Sequence, residues 1–116
     1  LNGVEADHII TRALAQGLHR SVVTAVDYEV SVEELKERRS SDQIFLNADD
    51  GILKDIDRRS MQLLRLPSSH MEPTQVLRYS RRQKYDGHHD FFPPDGYTGQ
   101  PAMMEMLDGG RRNRMA

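Results

Sequence analysis

Apolar residues recur at helical spacing over Val4 to Leu18, where VEADHIITRALAQGL puts Ile9, Ile10, Ala13 and Leu14 on one side and Gly17 near the stop. The pattern then changes. RSVVTAVDYEV, residues 20–30, is rich in β-branched side chains and predicts a strand. SVEELKERRSSD, residues 31–42, is charged and predicts a loop or a short helical turn, and QIFL (Gln43 to Leu46) a brief strand. The strongest helical pattern is ADDGILKDIDRRSMQLLRL, residues 48–66. Asp49 or Asp50 can cap it, Ile52, Leu53, Ile56, Leu63 and Leu64 form the expected buried stripe, and Pro67 ends it. PTQVLRYS (73–80) and QKYDGHHDFF (83–92) predict two strands joined by the basic turn SRRQ. PPDGYTGQP reads as loop, AMMEMLDGG as a helical turn or more loop, and RRNRMA as the entry to a further strand. The methionines Met103, Met104 and Met106 read as gap-filling apolar side chains. Helix, strands, helix, strands is the order of an α+β layout, with two helices backing an antiparallel sheet.

Composition narrows the chemistry. The chain has 116 residues, room for one domain or part of a larger one, and at 37% hydrophobic and 29% charged its core is thin. A net charge of −2 argues against general attraction to nucleic acid, and no apolar run approaches the length of a membrane span. The absence of cysteine removes disulfides, thiolate catalysis and cysteine-bound zinc together. Leu1 opens the chain inside a helical pattern and Ala116 closes it at a strand entry, so a fragment is expected.

His88, His89 and Asp90 stand where a sheet usually places valines. On an ideal strand His88 and Asp90 share a side, their Cα atoms about 6.5–7 Å apart, and His89 and Tyr85 face away. One imidazole and one carboxylate suit non-haem Fe(II), which takes two histidines and a carboxylate, and they also suit zinc. Alone, His-x-Asp is a weak signal, and an exposed polar strand end is the favoured reading of those residues by themselves.

The wider context is EPTQVLRYSRRQKYDGHHDFF, Glu72 to Phe92, which resembles the prolyl 4-hydroxylase branch of the Fe(II)/2-oxoglutarate dioxygenases. In that family a strand ending in Arg-Tyr leads through a turn to Gln-x-Tyr and then to the His-x-Asp pair. Tyr79, Gln83, Tyr85, His88 and Asp90 fall at matching offsets. Upstream, RSSDQIFLNADDGILKDIDRRSMQLLRLP is similar to the family's Arg-Thr-Ser-Ser stretch, apolar strand and long helix, and EADHIITRALAQGLHRSVV to its opening helix and first strand. Two departures stand out. The turn is Ser80-Arg81-Arg82 where the family carries glycines, and Gly87 stands where it often has proline. No histidine follows His89, so the family's second histidine ligand and its basic residue for 2-oxoglutarate are not in these residues.

The resemblance implies the N-terminal part, residues 1–116, of a single double-stranded β-helix (jelly-roll) dioxygenase domain. It implies Fe(II), 2-oxoglutarate and ascorbate as cofactors and a proline-containing peptide or protein as substrate. His88 and Asp90 would bind the metal, Tyr79 would reach 2-oxoglutarate, and Arg39 and Tyr85 would lie on the substrate side. Packing is the alternative for both tyrosines, and a solvated charge beside Arg38 the alternative for Arg39. With two metal ligands of three, the chain alone is expected to bind metal weakly and not to turn over. Rival readings are a dioxygenase of the same superfamily with another substrate, a dioxygenase-like domain that only holds a peptide, and a structural zinc. For eukaryotic relatives the analogy points to the endoplasmic reticulum and secretory pathway.

Overall fold

A computed structural model describes residues 1–23, 31–97, 99–108 and 112–114. In chain order the elements are α1 (Gly3–Gln16), β1 (His19–Arg20), α2 (Val32–Arg38), β2 (Asp42–Leu46), α3 (Gly51–Leu64), β3 (Thr74–Arg78) and α4 (Pro101–Met106), with 3-10 turns at Ser68–His70 and Pro94–Tyr97. They fall into two compact units, Leu1–Ser21 with Ser41–Gln83 and Val22–Ser40 with Lys84–Ala116.

In the first unit, local chemistry sets the helix ends. The Asn2 side chain accepts from the Glu5 amide and the Glu5 carboxylate accepts from the Asn2 amide, which satisfies two otherwise unpaired donors at the start of α1. Gly17, at a φ of 85° that side chains resist, closes it. Asp50 caps α3 by accepting from the Leu53 amide at 2.9 Å. Arg65, at a φ of 56°, turns the chain out of α3 ahead of Pro67.

The sheet is antiparallel in the order β1-β2-β3, with Leu46 opposite Thr74 and Asp42 opposite Arg78. Alternation separates its faces. Ile44, Leu46 and Val76 share one face, and Gln43, Phe45, Gln75 and Leu77 the other. Leu46 is fully buried, whereas Phe45 is 42% and Leu77 39% exposed. Helix α1 packs on β2 and β3, and so covers the Leu46 face. Gln43 is buried on the opposite face, its carbonyl accepting from the Gln75 amide at 2.8 Å. Just beyond the ladder, the buried Ser41 and Ser21 hydroxyls bond at 2.9 Å and extend the link between β1 and β2.

Helix α3 is tied alongside α1 by charge. His8 Nε2 lies 2.8 Å from Asp50 Oδ2, Arg12 bonds both Asp49 and Asp50, and Arg59 bonds Glu5. Leu53 and Met61 are buried, but Leu63 is 83% and Leu64 54% exposed, which corrects the expected stripe. Leu63 points about 80° away from Leu53 at 100° per residue. Leu64 lies nearly in line with Leu53 but sits in the final turn, where its side chain remains more than half open.

In the second unit, Ser31 and Glu34 form a capping box on α2, so the charged stretch expected as loop or helical turn is a seven-residue helix. Residues 83–92 do not form the expected strand. Among the described residues their only bridge is antiparallel, Arg39 to Tyr85, flanked by Ser40 N–H to the Lys84 carbonyl (2.8 Å) and Asp86 N–H to the Arg38 carbonyl (2.9 Å). The chain bends at Gly87, and Asp-Gly is a turn signal that overrides the alternation around it. Tyr97 and Leu107 are buried, with Phe92 edge-on to Tyr97 at 5.7 Å. The Asn113 side chain accepts from the Phe92 amide and donates to its carbonyl, imitating one rung of a ladder. Most of the strand expected over 20–30 and half of RRNRMA lie outside the described residues, and the described Arg112, Asn113 and Arg114 are in no strand. Helices with one small antiparallel sheet make this an α+β arrangement. No described helix is long and apolar enough to cross a membrane.

Leu53→Ala should cost about 2–5 kcal/mol in urea unfolding, and Leu63→Ala should stay within about 0.5 kcal/mol of wild type. Asp50 adds a pH signature. Its bond from the Leu53 amide, then those from His8 and Arg12, hold its carboxyl far below the usual carboxylate range. The unfolded chain therefore takes up the proton first, and the stabilisation is complete above the ordinary aspartate pKa and lost as pH falls below it. Asp50→Asn should flatten the acid limb of the stability–pH curve.

Candidate metal centre

The second unit brings four side chains singled out by sequence into one group. Arg39 follows the last turn of α2 in extended backbone, which turns its side chain towards the bridged Tyr85. It is 7% exposed, its Nη1 donates to the Val22 carbonyl at 2.9 Å, and its guanidinium lies 4.5 Å over the centre of the Tyr85 ring. That excludes the solvated-charge reading of Arg39. On the ring of Tyr85 lies His88, with centroids 3.7 Å apart and planes 22° from parallel. The expectation that Tyr85 faces away from His88 is overturned. It assumed strand parity, and the bend at Gly87 breaks that parity.

His88 is held along its edge as well. Its Nδ1 lies 2.8 Å from the Asp86 carbonyl oxygen. A carbonyl only accepts, so Nδ1 carries the proton, and in the neutral ring the Nε2 lone pair is free. Nε2 lies 3.3 Å from Asp90 Oδ1. Two donors bound side by side to one ion at about 2.1 Å each stand about 3 Å apart, so the imidazole nitrogen and carboxylate oxygen fit a shared metal. The same spacing also fits a plain ion pair if the ring is protonated. Both side chains are open to solvent, at 39% and 59%. No group of three or more metal-ligating side chains exists among the described residues. The pair is two donors of the three that a two-histidine, one-carboxylate centre requires.

The remaining positions divide plainly. Tyr79 belongs to the first unit, one residue past β3 and 46% exposed, on the parity of Gln75 and Leu77 and so on the sheet face opposite Leu46. His89 is exposed. The turn before the site closes through Gln83, whose amide donates to the Ser80 carbonyl and whose side-chain oxygen accepts from the Ser80 amide. Arg82 there takes a φ of 71°, a conformation that suits the glycines found in the resembling family. A Cβ at Gly87 would meet nothing within 4 Å, so that departure removes no packing. Sequence reasoning missed the Asp86 carbonyl. The Asp-Gly pair was its signal, because a turn at that point folds the preceding carbonyl back towards the side chain that follows.

No protein-family model matches the chain. Curated relatives do. Prolyl 4-hydroxylase 2 of Arabidopsis thaliana is 34% identical over 93 residues, covering 79% of this chain and 30% of the relative. Probable prolyl 4-hydroxylase 3 of the same plant is 33% identical over 110 residues, 92% of this chain and 37% of the relative. Probable prolyl 4-hydroxylase 9 is 36% identical over 73 residues, 60% of this chain and 25% of the relative. The chain thus spans about a quarter to somewhat over a third of the length of these relatives. With alignment running through both units, it belongs to the prolyl 4-hydroxylase family.

Proposed function

We propose that this chain supplies the first two metal ligands, His88 and Asp90, of an Fe(II)/2-oxoglutarate-dependent enzyme that hydroxylates proline in a peptide or protein. The observation that carries the reading is the convergence of a neutral-competent Nε2 and a carboxylate oxygen at 3.3 Å, with the ring's other nitrogen tied to backbone. The names of the relatives favour proline as the residue modified. Bound Fe(II), with 2-oxoglutarate and ascorbate, would supply the oxidative chemistry.

The chain's own residues position those groups. His88 offers one lone pair in a fixed direction, and Asp90 one anionic oxygen that offsets the metal's charge. Tyr79 is assigned to 2-oxoglutarate through its hydroxyl, on the family resemblance. Arg39 and Tyr85 are assigned to the peptide side, Tyr85 through its hydroxyl. Residues 1–116 form the N-terminal part of one jelly-roll domain, a reading supported by a sheet with one covered face and a second face on which Phe45 and Leu77 are partly exposed. The second histidine ligand and the basic partner of 2-oxoglutarate would come from further sequence.

The full-length protein should form hydroxyproline in proline-rich peptides given Fe(II) and 2-oxoglutarate. His88→Ala and Asp90→Ala should each lower the rate by at least about a hundredfold. The 116-residue chain alone should give no turnover. Hydroxylation by full-length His88→Ala at the wild-type rate would sink the assignment. The imidazole geometry has its own readout: nitrogen-detected NMR of metal-free protein, at a pH where His88 is neutral, should find its proton on Nδ1.

A further inference from the structure

We propose that Arg39, Tyr85 and His88 form a single stacked column in which Tyr85 is a positioning residue for metal binding, acting through the face of its ring. The inference rests on the reading of His88 as a metal ligand and adds a role for Tyr85 that its hydroxyl does not fulfil.

The need for such a column follows from the backbone. His88 lies outside any strand, three residues past the bridged Tyr85, so no ladder fixes its side chain. A histidine ring left free rotates about two torsions, and ordering it costs affinity on binding. Two contacts remove that freedom. The Tyr85 ring, 3.7 Å away and 22° from parallel, fixes the plane of the imidazole. The Asp86 carbonyl, 2.8 Å from Nδ1, fixes its rotation within that plane. Together they aim Nε2 at the space beside Asp90 Oδ1.

Tyr85 must itself be immobile to serve this purpose. Its backbone is bridged to Arg39, and the outer face of its ring carries the buried Arg39 guanidinium at 4.5 Å. Arg39 in turn is anchored by its bond to the Val22 carbonyl. The order of support runs from a buried cation to an aromatic ring to an exposed imidazole. A planar guanidinium suits the outer position because it lies flat on a ring, which an ammonium does not.

The test uses Mn(II), an oxygen-inert stand-in for Fe(II), titrated by electron paramagnetic resonance into the full-length protein. Tyr85→Leu should weaken Mn(II) binding by about tenfold or more, the range found when groups that orient a ligand are removed. Tyr85→Phe, which keeps the ring and loses the hydroxyl, should bind Mn(II) as wild type does even if its peptide KM rises. Arg39→Lys should weaken Mn(II) by a smaller factor. Where circular dichroism shows that Tyr85→Leu does not fold, Arg39→Lys decides the matter alone. Unchanged Mn(II) affinity in the folded ring-less variant, or equal losses in Tyr85→Phe and Tyr85→Leu, would overturn the column. His88→Ala separates the two levels of argument. If it too binds Mn(II) normally, the ligand assignment has failed. If it abolishes binding while Tyr85→Leu does not, only the column has failed.

Discussion

A guanidinium taken out of water must satisfy its charge and its donors within the protein, or the unit around it does not hold. Arg39 meets that demand with a backbone carbonyl on its edge and an aromatic face against its plane. The arrangement of the second unit follows from it. Tyr85 cannot turn without uncovering the cation, and His88 lies against the other side of the same ring. Backbone bonds on either side, Ser40 to Lys84 and Asp86 to Arg38, hold the two segments in register for the stack. The result is order in a stretch that has almost no regular secondary structure.

The first unit reaches order by a different route. Its helices are set by end chemistry, and its sheet by one fully buried leucine on the covered face. Ionic contacts join α1 to α3, and Asp50 serves twice, as the cap of one helix and the acceptor for His8 and Arg12 on the other. A carboxylate at a helix N-terminus is favoured by the helix dipole, and here two cationic or donor side chains add to that preference. The same residue therefore starts α3 and docks it on α1.

How much of this could be read from sequence depended on the range of the interaction. The end of α1 and both ends of α3 were legible because Gly17, Asp50 and Pro67 act within a few residues, whereas the start of α1 was not: Leu1 was placed inside the helix that Asn2 begins. The QIFL strand was legible for the same reason, as a local apolar run bounded by polar residues. Leu63 and Leu64 were misjudged because a periodic stripe says which way a side chain points and not whether anything meets it. The strand expected over 83–92 failed for a local reason that was visible: Asp86-Gly87 is a turn, and the alternation around it was given too much weight. His88 and Asp90 meet, but through the bend and not through strand parity. The Arg39–Tyr85 contact had no local signal, since the partners are far apart in the chain. Family resemblance named both residues without indicating that they touch.

The bare side of the sheet carries a consequence for handling the protein. Phe45 and Leu77 lie open there, and among the described residues β3 has a neighbour on one edge only. Exposed apolar side chains beside an open strand edge are a template that another copy can extend. Prepared by itself at high concentration, the chain is therefore set up to form ladders between molecules.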